Sequence, residues 1–218
     1  MSEHDPTGYS SHGVSPHRLN ALSDAVFAIA MTLMALEITE TLPDHLPIRD
    51  HTDALLLQLL SYALGFLILG LFWSTHQAQS HYTAHTDRVH TWLKIAFLFF
   101  VALIPVAASL LNKAIHEPSS ILVYGITLTG AASMNLAQWT YATAGRRLVR
   151  NDLETRVVRR IQRRLIIVIA AYFVVMAVSF WNPLVSVGMF MLMHLVAVFI
   201  PAAPPETGPD ADEVPAGG

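Results

Sequence analysis

Five stretches of this chain are each long and apolar enough to cross a hydrocarbon layer, and they follow one another with only short polar breaks. A helix needs about 20 mostly apolar residues to span a hydrocarbon core of about 30 Å. Residues 18–38, 54–79, 92–114 and 119–144 meet that length, and the apolar region 165–200 is too long for a single crossing. Asn182-Pro183 sits near the middle of this last region. Such a pair favours a turn, which divides the region into two short antiparallel helices. The chain therefore reads as an all-α integral membrane protein with six transmembrane helices over residues 18–200.

Charge supports that reading and sets an orientation. Only 13% of the 218 residues are charged, about half the share of a soluble domain. The connection between the fourth and fifth spans holds Arg146, Arg147, Arg150, Arg156, Arg159, Arg160, Arg163 and Arg164. Basic residues concentrate on the cytoplasmic side of membrane proteins. With this loop inside, an even number of spans puts both termini inside, and Arg18, Arg88 and Lys94 join the same side. Only Arg49 and Lys113 fall outside. No aromatic side chain is interleaved among the arginines, so the cluster reads as a topology determinant that meets anionic lipid, not as a nucleic-acid site.

The ends differ from the membrane region. Residues 1–17 are polar, without a cleavable signal sequence, and the charge distribution makes them an expected cytoplasmic N-terminal segment. Residues 201–218, rich in Pro, Gly, Ala, Asp and Glu, have the composition of a disordered acidic tail.

Few motifs of chemistry remain. The chain has no cysteine, which excludes disulfides, thiolate catalysis and Cys-based zinc sites. No H-E-x-x-H or G-x-S-x-G segment occurs, so nothing points to an enzyme, and no cofactor is implied. His81 and His85 have the i, i+4 spacing of a metal pair but lack a third ligand, and they read as a solvated face with no metal. Asn135, Gln138 and His194 lie inside apolar helices and read as hydrogen-bond partners between helices.

Charge inside a membrane helix is costly and faces a cavity or a partner. Asp24 lies about two turns into the first helix, six residues after Arg18. Trp73 and His76 lie near the end of the second helix, where an antiparallel neighbour meets the start of the first. Asp24 is thus either a residue favoured by the helix dipole or part of a network with Ser23, Trp73 and His76. Further along, Ile29, Leu33 and Leu36 share one face of the first helix, with Thr32 beside them and Ala25 and Ala28 as small neighbours. By itself the stripe reads as packing against other helices, and the pattern alone does not make it a pore.

The run from Arg18 through Ser23-Asp24, Val26-Phe27-Ala28-Ile29 and Leu36-Glu37-Ile38 resembles the first-helix signature of the transmembrane protein 175 family, R-x-x-x-F-S-D followed by an apolar helix ending near L-E-I. Leu22 stands where Phe is usual, and Ala25 where Gly is common. Phe72-Trp73 and His76 resemble the family's F-W-x-x-H element. The resemblance implies a homotetrameric, potassium-permeable cation channel of the cell membrane. It places the first helix of each subunit around a central axis and lacks a carbonyl-lined filter loop. It further implies constriction by rings of Ile29, Leu33 and Leu36, a supporting hydroxyl at Thr32, and anchoring of the helix by Arg18, Ser23, Asp24, Trp73 and His76. The expected partners are potassium and other monovalent cations, membrane lipid and three further copies of the chain, with no nucleic acid. The rival reading is a secondary, proton- or ion-coupled transporter. It lacks an internal repeat and an acidic residue at mid-depth, since Asp24 and Glu37 both lie toward helix ends.

Overall fold

The computed structural model describes residues 15–40, 52–150 and 152–199; of residues 36–40, 52–55 and 57 only the backbone is described. Six helices follow in order: α1 (Pro16–Glu40), α2 (Thr52–Tyr82), α3 (Arg88–Lys113), α4 (Pro118–Thr143), α5 (Thr155–Val178) and α6 (Pro183–Val198), with one 3-10 turn at Ala144–Arg146. Residues 1–14 and 200–218, which include most of the polar N-terminal segment and the whole acidic tail, lie outside the described residues, as does Arg49.

Five of the helices are long and apolar enough to cross a membrane. The sixth, α6, has 16 residues and is about 24 Å long at 1.5 Å per residue, just short of a full hydrocarbon core. The division at Asn182-Pro183 stands: Asn182 caps α6 by accepting the Val185 amide at 3.2 Å, and Pro183 occupies the first helical position, where its missing N–H costs nothing.

The arginine-rich stretch departs from the expected loop. α5 begins at Thr155, so Arg156, Arg159, Arg160, Arg163 and Arg164 ride on its first turns instead of lying in a connection. The reason is amphipathic spacing: Ile161 and Leu165, one turn apart, are buried while the long arginine stems cover the opposite side of the same turns. Ahead of them the chain turns back through Gly145 and Arg146, both at positive φ (60° and 55°). Arg147 lies over the ring of Tyr141, 5.3 Å from its centroid, an aromatic partner supplied from outside the arginine run.

This connection is clamped to the one between α2 and α3. Thr83 and Val149 form an antiparallel bridge, Ala84 donates its amide to the Leu148 carbonyl at 2.8 Å and Arg150 to the Tyr82 carbonyl at 3.1 Å. Tyr141 on α4 donates its hydroxyl to Asp87 at 2.6 Å, and Asp87 in turn caps α3 by accepting the His90 amide at 2.8 Å. Burial pushes the Asp87 carboxyl up, but the bonds from His90 and Tyr141 more than offset it and hold the group below its usual range. The two connections therefore share one end of the bundle, with the start of α1 beside them.

The core runs between all six helices and includes Phe27, Leu69, Phe97, Ile121, Leu128 and Tyr172. α3 and α4 are the closest pair. Small residues make this possible: Ala107, Ala108, Ala131 and Ala132 are buried, as expected where backbones approach in lipid. Pro105 sits inside α3 and is itself buried. Of the polar residues expected to bond between helices, His194 on α6 meets the Tyr172 hydroxyl of α5 at 3.1 Å. Asn135 and Gln138 instead bond each other within α4 at 2.8 Å.

Candidate functional site: the two faces and the foot of the first helix

α1 has one face inside the bundle and one outside it. Leu19, Ser23, Phe27, Ala30 and Met34 are buried at spacings of three and four residues, which puts them on one side of a helix. That side packs on α2 and α3, the elements of this chain that α1 touches among the described residues. Phe27 lies 5.9 Å from the Phe97 ring. Gly65 on α2 faces Met34 so closely that a Cβ there would overlap the thioether end; the absence of a side chain lets the two helices meet.

The opposite side carries the candidate pore residues. Ile29 is 59% and Leu33 43% exposed, against 1% for Phe27. Leu22, Ala25, Ala28 and Thr32 are exposed on the same side. No element of this chain covers them among the described residues. The Thr32 hydroxyl donates to the Ile29 carbonyl of its own helix at 2.9 Å. The side chain of Leu36, like that of Glu37, lies outside the described residues.

At the foot of α1 the anchoring candidates divide. Asp24 accepts from Trp73 Nε1 at 2.9 Å and from Gln77 Nε2 at 2.6 Å, so one carboxylate oxygen joins α1 to α2 twice. Ser23 donates its hydroxyl to the Leu19 carbonyl at 2.9 Å, within its own helix. His76 is buried beside them, stacked on Phe97 at 5.1 Å and 6.4 Å from Phe27, a packing contact and not a bond to Asp24. Arg18 is exposed and its backbone amide bonds Ser15. A second polar link was not anticipated: Lys94 on α3 donates to Asn20 of α1 at 2.6 Å and to Ser80 of α2 at 3.5 Å. Gln77 follows Trp73, and Asn20 precedes Asp24, by one helical turn. That spacing puts each on the helix face of its neighbour but does not by itself give its partner.

Arg18, Arg88, Lys94 and the arginines of the α4–α5 region gather at this same end, and Lys113 lies at the end of α3 away from it. Among the described residues the arrangement has no group of three side chains able to hold a metal. Six apolar helices, with an amphipathic connection at one end and a first helix whose apolar outer face is left open, define a multi-pass membrane protein.

The comparisons with known proteins place it further. The family model for the endosomal/lysosomal potassium channel TMEM175 matches residues 18–105, the stretch holding α1, α2 and most of α3. A potassium channel of Streptomyces collinus is 32% identical over 133 residues, covering 58% of this chain and 64% of that protein. The endosomal/lysosomal proton channel TMEM175 of Gallus gallus is 31% identical over 147 residues, covering 62% of this chain and 29% of that one. The chain thus spans less than two thirds of either relative. The crystal structure of a lysosomal potassium-selective channel TMEM175 homolog from Chamaesiphon minutus superposes with a TM-score of 0.69 at 23% identity, covering 84% of this chain and 96% of that one, a likeness of fold. The resemblance read in the first helix is matched by the family model, so residues 18–105 of this chain are similar to the TMEM175 family.

Proposed function

We propose that the chain is a potassium-permeable cation channel, built as a homotetramer with α1 of each subunit around the central axis. The observation that carries this is the open apolar face of α1: Ile29 and Leu33 point away from the bundle, while the opposite face and the foot are fixed to α2 and α3. The names of the relatives support conduction of potassium. The fold likeness to a solved TMEM175 homolog is in keeping with it.

Four copies of this face meeting on an axis make apolar rings of Ile29, Leu33 and Leu36. Water leaves a narrow apolar neck, and a cation cannot shed its hydration shell there, so the neck blocks until it widens. A widened neck passes partly hydrated cations and favours the more easily dehydrated potassium over sodium, modestly. Thr32 steadies the neck through its hydroxyl, and the Asp24, Trp73 and Gln77 contacts hold the base of the helix in place while it moves. The clustered basic residues at the foot support a cytoplasmic side for that end of the bundle in the cell membrane.

The test is potassium flux from liposomes containing the purified protein. Current down a potassium gradient without a counter-substrate is expected, and Ile29→Asn raises the leak. Flux that requires a second solute makes the protein a secondary transporter, and unchanged flux in both Ile29→Asn and Leu33→Asn removes α1 from the conduction path.

A further inference from the structure

Behind the foot of α1, between α2, α3 and α4, lies a cluster of polar side chains that the proposed pore does not use. His76, Gln79, His90, Lys94 and Gln138 surround a cavity of about 10 Å³, and all five are buried, at 2–4% exposure. Five polar atoms around it have no hydrogen-bond partner: both ring nitrogens of His76, both side-chain amide atoms of Gln79, and Nδ1 of His90.

Such a concentration is exceptional, because nearly all buried polar atoms are paired. Each orphan carries an uncompensated desolvation penalty, and five together weigh heavily against the marginal stability of an ordinary domain. Their burial withholds the side chains from outside solvent. The groups need a partner inside the protein.

The chemistry of the lining selects that partner. An imidazole offers one donor and one acceptor, and an amide offers both kinds. A metal cation would face the Lys94 ammonium and the Gln79 amino group. A halide would satisfy the donors and leave the Gln79 carbonyl and the acceptor nitrogens unpaired. Water serves both, needs two to four polar partners, and requires a cavity of about 10–15 Å³.

We propose that this cavity is a built solvent site, holding a single water molecule that bonds the Gln79 amide and a ring nitrogen of His76 or His90. Its position gives it a structural role. Lys94 borders the cavity and reaches Asn20 of α1, while His76 also packs against Phe27. The water closes a polar network that runs from α3 and α2 to the base of the first helix.

A map of the full-length protein in nanodiscs, at a resolution that shows other buried waters, tests this. A peak within about 3.2 Å of the Gln79 amide and of a ring nitrogen of His76 or His90 is expected. An empty cavity overturns the proposal, as does a peak that gains strength when chloride is exchanged for bromide. Thermal unfolding of Gln79→Met gives a second reading with opposite signs. With water bound, the change strands the water and lowers Tm by about 2–4 °C for each kcal/mol lost. With a dry cavity it removes two unpaired atoms, so an unchanged or raised Tm overturns the proposal.

Discussion

Trp73 donates its indole N–H to Asp24 across 2.9 Å, joining the foot of α1 to the end of α2. The same carboxylate oxygen also accepts from Gln77. A hydrogen bond to a charged group contributes about 1.5–3 kcal/mol, and the exposure of Asp24 keeps the value at the low end. Asp24→Ala is expected to lower the stability of the solubilised protein by about 1–2 kcal/mol and to weaken tetramer assembly, read by thermal unfolding and by particle size in detergent. Asp24→Asn, which keeps an acceptor, falls between the two. Full stability and assembly in Asp24→Ala would make the contact dispensable.

The two faces of α1 respond differently to truncation. Phe27 is buried against Phe97, and Phe27→Ala opens a core cavity at a cost of about 3–5 kcal/mol. Ile29 leaves the bundle on the other side, so Ile29→Ala changes unfolding by no more than about 0.5 kcal/mol while altering ion flux. Measuring both properties in both variants separates the packing face from the conducting one. Equal losses of stability would contradict the division.

Gly65 and Met34 set the spacing of α1 and α2. Gly65→Val drives two methyl groups into the Met34 side chain, and overpacking of this kind costs about 1–3 kcal/mol. Met34→Ala in the same protein vacates the space and restores much of the loss. A double variant as unstable as Gly65→Val alone would place the fault in another contact.

Asp87 gives the loop clamp a dependence on acidity. Its carboxyl is held below the usual range in the folded protein, so the stabilisation is present above the ordinary carboxylate pKa of about 3.9 and is lost as pH falls through the lower folded value. Unfolding followed from pH 6 downward is expected to show a loss in this acid range that is smaller in Asp87→Asn. Identical curves would exclude Asp87 as a source.

Much of the architecture was readable because crossing a membrane imposes a length and a composition, and both are properties of the sequence itself. The break at Asn182-Pro183 was readable for the same reason that Pro183 fits a helix start. The beginning of α5 was not: Arg156 to Arg164 look like a loop by hydropathy, and only the burial of Ile161 and Leu165 reveals a helix. Antiparallel packing of the first two helices put Asp24 near Trp73 but left open whether the helix dipole or a side-chain network holds it. The Gln77 and Asn20–Lys94 links depend on helix rotation and register, which a linear pattern leaves open. The direction of the α1 stripe was hidden too. Phe27, Ala30 and Met34 are as apolar as Ile29 and Leu33, and hydropathy does not separate a protein-facing residue from one facing lipid or a pore.

The clamp between the two basic-end connections has a mechanical consequence. The Thr83–Val149 bridge and the Tyr141–Asp87 bond lock α2, α3, α4 and the approach to α5 into one frame, since none can tilt without breaking backbone pairing outside the helices. Among the described residues, α1 is joined to α2 and α3 through side chains, on one flank. A push on the basic end of the bundle therefore meets α2, α3 and α4 as one frame, and α1 follows it through the Asp24 and Asn20 contacts.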